Sequence, residues 1–292
     1  MRHRHNQQQN NMMNLINIQQ SINRPWLILP SALDTFRKQY EQLFSGNIQM
    51  PMDMPTDMPD DEPMNDETGS MDSGSMENTI AVISIDGIIG KRLGLIETMF
   101  FGMTDVNNIS DAIDEAMVDP NIDTVVFDMC TPGGTVTGVP ELANKIAEMS
   151  KVKNTIAYAD VLCASAGYYL ASQCNAIYSA PTATVGSVGV YSIYFDETVA
   201  LSNDGIKINA ISAGKYKLTG FSGKVMTDEE RAMLQVDIDK IYSQFKSAVI
   251  SKRAIADEDL QGQCFTSDDL INKNFIDGFA NSLDDVISFL TK

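Results

Sequence analysis

The chain has 292 residues and a formal net charge of −18, with 39 Asp and Glu residues against 21 Lys and Arg. This acidic balance argues against a nucleic-acid backbone or an anionic membrane as the partner, because both require a basic surface. A protein or peptide partner is expected, and the length allows one large domain or two small ones.

The four cysteines do not predict a metal site. They form no CxxC pair and no histidine lies near them, so a zinc site is not expected. No cofactor is expected. Reduced thiols favour a cytoplasmic location. The N-terminal sequence MRHRHNQQQNNMMN lacks the apolar core of a signal peptide, and no apolar run is long enough to cross a bilayer, so no membrane anchor is expected.

The composition divides the chain into four parts. Residues 1–24 are rich in Gln and Asn and predict a disordered polar arm. Residues 46–78 repeat Met, Pro, Asp and Glu and predict an acidic linker, because such a run cannot bury enough apolar surface to fold. Residues 25–45 between them predict a short helical segment, and residues 79–292 are expected to form the folded domain.

The short helical segment begins with the apolar run Pro-Trp-Leu-Ile-Leu-Pro, which carries the only tryptophan of the chain. Ser31 follows this run and is the expected cap of a helix that continues to about Phe44. The segment can dock either on the main domain or on a partner.

Strand and helix patterns alternate in the first part of the folded domain. The expected elements are a strand at 80–85, a helix through Ile109, Ala112, Ile113 and Ala116, a strand at 124–127, a helix at about 140–149 and a strand at 155–159. Short alternating units of this kind predict an α/β fold with right-handed crossovers on a largely parallel sheet. Ligands of such sheets bind beyond the carboxyl ends of the strands, where the sequence Thr-Pro-Gly-Gly at 131–134 and Ser165 are expected to lie.

The rest of the domain predicts a further strand, a loop and three helices. The strand is expected at Ile206–Ile211 and the loop at 214–217. A long helix is expected to start at Thr227, which forms a capping box with Glu230. Its apolar stripe is expected to serve core or subunit packing and consists of Leu234, Ile238, Ile241, Phe245 and Val249. Two short helices are expected around 268–273 and 283–290.

Ser165 stands at a predicted helix start within the small-residue sequence CASAGYYLAS. It has two interpretations, a helix cap, since Ser is a preferred N-cap, and a nucleophile. The only histidines, His3 and His5, lie in the polar arm, which excludes a Ser-His-Asp triad within the folded domain. The known alternative base is a lysine. Lys217 has apolar sequence neighbours, although a solvated loop lysine is the other interpretation.

An oxyanion hole requires two convergent backbone donors. The glycines of Thr-Pro-Gly-Gly can approach a substrate closely because they lack a Cβ, and the Ala166 amide lies at the same helix start as Ser165. A plain type II turn is the alternative interpretation of the glycine sequence.

Four ordered sequence blocks resemble the signal peptide peptidase A family of serine peptidases, whose core is the Clp protease/crotonase fold. The blocks are VVFDMCTPGGTV, CASAGYYLAS, TATVGSVGVY and SAGKYKLTGFSGKVMTDEERAMLQ. The resemblance covers about residues 79–290 and implies repeated ββα and βαβ units on a largely parallel sheet. It also implies that Ser165 is the nucleophile and Lys217 the general base, with Gly134 and Ala166 supplying the oxyanion amides.

Two features set this chain apart from many family members. Cys130-Thr131 precedes the glycines where Asn-Ser or Asp-Ser is common, and Leu218 follows the lysine block where many members carry Asp. The Thr form, the Pro-Trp-Leu-Ile-Leu-Pro run and the polar linker are similar to the branch found in prohead proteases of tailed phages.

The resemblance implies a homo-oligomer, because neighbouring subunits of this family supply the serine and the lysine of one site. The expected function is a soluble Ser-Lys endopeptidase that processes scaffold, capsid or portal proteins, with its own residues 46–78 as a candidate substrate. Three alternatives stay open at this point. They are a host cytosolic peptide-degrading protease, a crotonase-type acyl-CoA enzyme, and an inactive structural protein that binds capsid or scaffold.

Overall fold

The computed structural model describes residues 24–44 and 79–291. Apart from Arg24, the polar arm expected at 1–24 and the linker expected at 46–78 lie outside the described residues.

Short strands and helices alternate along the described chain. The strands are β1 (Trp26–Ile28), β2 (Thr79–Asp86), β3 (Ile89–Gly90), β4 (Thr104–Asp105), β5 (Ile122–Thr131), β6 (Gly133–Thr135), β7 (Asn154–Ala164), β8 (Ala176–Ser179), β9 (Thr184–Gly186), β10 (Cys264–Thr266) and β11 (Gly278–Phe279). The helices are α1 (Pro30–Phe44), α2 (Val106–Val118), α3 (Val139–Met149), α4 (Ala166–Ala171), α5 (Thr198–Asn203), α6 (Asp228–Ile250), α7 (Asp268–Asn272) and α8 (Leu283–Leu290). A π-helical turn covers Ile96–Phe100 and a 3-10 turn covers Asp257–Asp259.

The larger sheet has the strand order β10-β9-β7-β5-β2, with β8 also paired to β7 and β11 paired to β8. All of these pairs are parallel except β9 with β10. The two central strands, β5 and β7, are the longest because both of their faces are covered. The prediction of an α/β fold with a largely parallel sheet is confirmed.

The smaller sheet has the order β1-β6-β3-β4. Strand β6 pairs in parallel with β3 and antiparallel with β1. The sequence at 131–134 is therefore more than the turn expected from its composition, because its glycines enter a strand.

Helices α2, α3 and α4 pack with the larger sheet into the main core. Ile109 and Ile113 of α2 and Leu142 and Ile146 of α3 are buried, as the helical spacing of apolar residues predicts. All six residues of α4 are buried. Each fully buried aliphatic side chain stabilises the fold by about 1.5–3 kcal/mol, so this packing fixes the backbone at the end of β7.

The N-terminal segment docks on the main domain. Trp26 and Ile28 of β1 pack with Leu33 and Phe36 of α1 and with Met103 in a second apolar cluster. The prediction that Ser31 caps α1 is wrong. The helix begins one residue earlier, at Pro30, because proline is well suited to the first helical position.

The predicted strand at Ile206–Ile211 is also wrong. This stretch forms no ladder with another strand among the described residues, and the side chain of Ile211 is fully exposed. The alternation of apolar residues is typical of a strand, but a strand also needs a neighbouring strand to pair with. A local sequence pattern does not show whether that neighbour exists.

The predicted capping box of the long helix is confirmed, since the Thr227 and Glu230 side chains each bond the other residue's backbone. Phe245 and Val249 at the end of the stripe are buried. Its other members, Leu234, Ile238 and Ile241, are only partly covered. No helix within residues 24–44 and 79–291 has the length and apolar character needed to cross a membrane.

Candidate active site

The candidate site lies at the carboxyl end of the central strands. Ser165 is the single residue between β7 and α4. On the neighbouring strand β5, the last residue, Thr131, pairs in register with Cys163. The parallel sheet therefore brings the two predicted blocks, Thr-Pro-Gly-Gly and the small-residue serine block, to the same edge.

The backbone of Ser165 is strained. Its φ of 54° and ψ of −113° lie outside the regions that L-residues prefer, which costs about 1–3 kcal/mol. The Ser165 amide donates to the Gly186 carbonyl at 2.8 Å, and its own carbonyl accepts from the Tyr169 amide at 2.9 Å. The side chain makes no capping bond to α4, so Ser165 does not serve the helix as a side-chain cap.

The Ser165 hydroxyl is buried and has no hydrogen-bond partner among the described residues. A buried hydroxyl without a partner costs about 1–3 kcal/mol and therefore requires an explanation. Ser267 provides the contrast, since it starts α7 with the same φ of 54° but is exposed. Ser165 combines backbone strain with an unpaired buried hydroxyl, and Ser267 does not.

Cys163 is a second potential nucleophile close to this position. Its side chain is fully buried, and burial raises the pKa of the thiol well above its usual range. A thiol that stays protonated is a poor nucleophile, so Ser165 is the better candidate at the end of β7.

The loop between β5 and β6 is held by the Thr131 side chain. The Thr131 hydroxyl donates to the Gly87 carbonyl at 2.6 Å and accepts from the Gly133 amide at 3.1 Å. A Cβ built on Gly134 would lie 1.9 Å from the Ile89 carbonyl oxygen. Only glycine fits at this position, because the neighbouring backbone of β3 is too close for a side chain.

The amide of Gly134 faces β1. Gly134 stands opposite Leu27 in the antiparallel ladder. The pairs on either side fix the bonding pattern, since Leu29 N–H donates to the Pro132 carbonyl and Val136 N–H donates to the Pro25 carbonyl. Bonded and non-bonded pairs alternate in such a ladder, so Leu27 and Gly134 exchange both backbone hydrogen bonds. The Leu27 carbonyl therefore accepts the amide that the sequence predicts for an oxyanion hole.

Ala166 and Gly134 lie on elements that pack together. Ala166 is the first residue of α4, where backbone N–H groups have no partner within the helix. Helix α4 packs against β6, and a Cβ on Gly167 would lie 2.4 Å from the Thr131 methyl carbon. The structure thus brings the predicted serine and both predicted oxyanion residues into one region.

No hydrogen bond joins Lys217 to Ser165. Lys217 lies in a loop of turns between α5 and α6, and its side chain is exposed. The neighbouring lysines at 215 and 224 are paired, Lys215 with Glu229 and Lys224 with Glu230. Within residues 24–44 and 79–291, Lys207 and Lys217 form no ion pair.

Carboxylates also lie near the ends of the central strands, but they do not form a metal centre. Burial raises the pKa of Asp128, and the nearby charges of Asp86 and Asp160 raise it further. Across the described part of the chain, no group of three His, Cys, Asp or Glu side chains could hold a metal ion. Both histidines lie outside this part.

A family comparison decides the relationship of this chain to known proteins. Residues 147–292, half of the chain, match the model of peptidase family S49. The chain belongs to peptidase family S49. The match contains Ser165, Ala166 and Lys217, whereas Gly134 lies before it. The family resemblance inferred from the four sequence blocks is thereby confirmed.

Phage proteins are among the relatives in family S49. Capsid assembly protease C of Escherichia phage lambda is 30% identical over 210 residues, which cover 71% of this chain and 48% of that protein. Head-tail preconnector protein GP5 of Enterobacteria phage P21 is 30% identical over 172 residues, 59% of this chain and 34% of that protein. The chain thus spans about half the length of the first relative and about a third of the second.

A solved structure of a 1510-N membrane protease from Pyrococcus horikoshii, specific for a stomatin homolog, is also similar. The similarity covers 73% of this chain and 78% of that chain, with 17% identity and a TM-score of 0.38.

The sequence alone does not predict two features of this candidate site. In the sequence, Thr131 is only a departure from the common family pattern, and the bonds of its hydroxyl to Gly87 and Gly133 are visible only in the structure. The position of β1 against Gly134 had no local signal, because strand pairing joins residues that are far apart in the sequence.

Proposed function

We propose that this chain is a serine endopeptidase in which Ser165 is the nucleophile and Lys217 the general base. The amides of Gly134 and Ala166 form the oxyanion hole. In this proposal residues 79–292 form the peptidase domain, residues 46–78 link it to the N-terminal segment 25–45, and no cofactor takes part.

One observation carries the proposal, the state of Ser165. The residue follows the central strand of a parallel sheet, its backbone is strained, and its buried hydroxyl has no partner in the described residues. Strain and unsatisfied polar groups are retained in proteins mainly where function requires them. Membership of peptidase family S49 supports the same assignment.

The proposed reaction proceeds in two steps. Ser165 Oγ attacks the peptide carbonyl carbon while the neutral Lys217 amine takes the hydroxyl proton, and the resulting oxyanion accepts bonds from the Gly134 and Ala166 amides. Collapse breaks the C–N bond, and the lysine returns the proton to the leaving amine. Water then attacks the acyl-enzyme with Lys217 again as the base, which releases the new carboxylate and restores Ser165.

In the proposed mechanism, Lys217 acts in the site of a neighbouring copy. Its exposed position, and the absence of an ion pair to any residue that the structure describes, support this role. A lysine is a base only in its neutral form. A dry interface favours the neutral form more than water does. The loop that carries Lys217 also exposes apolar side chains, including Ile211 and Val225, as expected of a surface that another copy covers.

The proposed substrates are proteins of capsid assembly. This part of the proposal is supported by two relatives whose names refer to capsid assembly and to the head-tail preconnector. It also agrees with the acidic balance of the chain, which disfavours nucleic acid as a ligand.

Matched variants test the catalytic roles. Ser165→Ala and Ser267→Ala remove the same atom from serines of equal φ, and Lys217→Ala and Lys207→Ala each remove an unpaired loop lysine. We expect Ser165→Ala to lower cleavage of an unfolded protein substrate by on the order of 10⁴-fold or more. Lys217→Ala should lower it by about 10²–10⁴-fold, and both controls should retain full activity.

Each contrary result selects another interpretation. Full activity of Ser165→Ala or Lys217→Ala would refute the dyad. Binding of an acyl-CoA ester together with turnover that does not need Lys217 would favour the crotonase-type alternative. Absence of cleavage and of reaction with a serine-directed fluorophosphonate in every form would favour an inactive structural protein.

A further inference from the structure

The groove beside Gly134 is already filled by a segment of this chain. Strand β1 lies between two backbone edges, with β6 on one side and Tyr191 on the other. Trp26 N–H donates to the Tyr191 carbonyl at 2.9 Å, and Tyr191 N–H donates to the Trp26 carbonyl at 3.2 Å. Leu27, the next residue, turns its backbone groups toward Gly134 on the opposite side.

We propose that β1 is an inhibitory strand that occupies the peptide-binding groove of the candidate active site. This inference rests on the proposed function. Its central observation is that the Leu27 carbonyl accepts the Gly134 amide, the donor assigned to the substrate oxyanion. While β1 is in place, a substrate carbonyl cannot receive that bond.

The slot that β1 fills suits an extended peptide. Without β1, the Gly134 amide and carbonyl and the Tyr191 amide and carbonyl would be unpaired on facing edges. Peptides bind to such edges by adding a strand, with main-chain bonds giving affinity and pockets for alternate side chains giving specificity. Leu27 points into the main core, whereas Trp26 and Ile28 point into the second apolar cluster, so the groove has apolar pockets on both faces.

Strand β1 does not satisfy the polar groups around it. Thr135 and Tyr191, the two residues opposite Trp26, have buried hydroxyls without a partner among the described residues. Each such hydroxyl costs about 1–3 kcal/mol, so the groove retains unused hydrogen-bonding capacity with β1 bound. A peptide with polar side chains at these positions can compete with β1 for the same slot.

Four full-length variants test this inference. Leu27→Pro removes the N–H that faces the Gly134 carbonyl, whereas the matched Leu27→Ala shortens the side chain and keeps that bond. Lys38→Ala, on the exposed side of α1, controls for changes elsewhere in the N-terminal segment. Trp26→Ala is a second way to loosen β1, because Trp26 is fully buried.

Binding is measured first, in a Ser165→Ala background, so that the result does not depend on catalysis. The probe is a fluorescein-labelled peptide with the sequence Arg-Pro-Trp-Leu-Ile-Leu-Pro. Its binding to each protein is measured by fluorescence anisotropy. Release of an internal competitor raises apparent affinity, so Leu27→Pro should bind this peptide at least about tenfold more tightly than the form with an intact β1. Leu27→Ala should lie between them, and Lys38→Ala should match the intact form.

Cleavage is measured second, with Ser165 present. Leu27→Pro and Trp26→Ala should cleave an unfolded substrate at least about tenfold faster than wild type, and the added peptide should inhibit them. Equal rates in wild type and both variants, with all forms active, would overturn the inhibitory role and leave the peptidase assignment intact. Tight peptide binding by Leu27→Pro without cleavage would support the groove and contradict the proposed catalytic function.

Discussion

The backbone of Ser165 has a conformation that glycine adopts without strain. Its φ of 54° with ψ of −113° costs an L-residue about 1–3 kcal/mol, and two backbone hydrogen bonds hold it there. A nucleophile held in this way points its hydroxyl in one direction before substrate arrives. We therefore expect the strained backbone at Ser165 to lower the free energy of unfolding while serving function.

Ser165→Gly tests whether this strain lowers the stability of the fold. Glycine relieves the strained φ but adds chain entropy to the unfolded state, about 0.5–1 kcal/mol, so a net gain of about 1 kcal/mol is expected. The variant should unfold at a higher temperature than Ser165→Ala, which keeps the strain, and both should lack activity. Thermal unfolding followed by circular dichroism measures the difference. A lower midpoint for Ser165→Gly than for Ser165→Ala would contradict the strain.

Thr131 gives a second prediction at the scale of one residue. Thr131→Val removes a fully buried hydroxyl and leaves the Gly87 carbonyl and the Gly133 amide without their partner. An unsatisfied buried group costs about 1–3 kcal/mol, so Thr131→Val should lower the free energy of unfolding by about 2 kcal/mol or more. Chemical denaturation measures this value.

Thr131→Ser is the matched control, because it keeps the hydroxyl and loses only the methyl group that contacts Gly167. It should retain most of the stability and most of the cleavage activity. If Thr131→Val were as stable and as active as Thr131→Ser, the hydroxyl would not organise the loop before Gly134.

At the scale of elements, the start of α6 depends on a buried carboxylate. Glu230 is almost fully buried and accepts from Lys224 Nζ at 2.5 Å and from the Thr227 amide at 2.9 Å. The bond from Lys224 is the largest cause, and together these donors lower the pKa of Glu230 from 4.5 to about 2. Because the pKa is lower in the folded state, this carboxylate stabilises the fold above about pH 4.5 and loses that effect as the pH falls toward 2.

Glu230→Gln is expected to flatten this pH dependence. The variant should be less stable than wild type at pH 7, and the two unfolding midpoints should converge as the pH falls from about 4.5 toward 2. Asp228→Asn, in the same helical turn but exposed, is the control and should follow wild type. Parallel wild-type and Glu230→Gln curves across this range would show that Glu230 is not the group that titrates.

The same elements show which parts of the structure the sequence predicts and which it does not. The capping box at Thr227 and the strand–helix alternation follow from local patterns and agree with the structure. The stretch Ile206–Ile211 has the local pattern of a strand but no partner edge, and β1 has a partner that only the folded sheet provides. The small-residue block makes Ser165 a candidate and the absence of histidines from residues 79–292 limits its base to a lysine, whereas its backbone strain and its buried hydroxyl are visible only in the structure.

At the scale of the whole molecule, a single copy leaves the proposed site incomplete. Ser165 is buried and Lys217 is exposed, with no hydrogen bond between them. Two apolar surfaces lie on consecutive elements of the chain. One is the set of exposed apolar side chains in the Lys217 loop, and the other is the partly covered stripe of α6. If the proposed mechanism holds, a ring of copies would cover both surfaces and supply Lys217 to Ser165, and activity would then require assembly.

Mixing two inactive variants tests the shared site. Ser165→Ala supplies only lysines and Lys217→Ala supplies only serines, so random co-assembly at equal amounts should restore roughly a quarter of the wild-type sites. Cleavage is measured after the two proteins are unfolded and refolded together, with each variant alone as the blank. No recovery in a mixture that size-exclusion chromatography shows to be assembled would place Ser165 and Lys217 in the same copy or remove Lys217 from the mechanism.

Covalent labelling is a direct test of whether Ser165 is the nucleophile. Full-length wild type and Leu27→Pro are treated with a fluorophosphonate, digested, and mapped by mass spectrometry. We expect one adduct per chain, on the peptide that contains Ser165, formed faster in Leu27→Pro and absent in Ser165→Ala. An adduct on another serine, or no adduct in either form, would contradict this assignment.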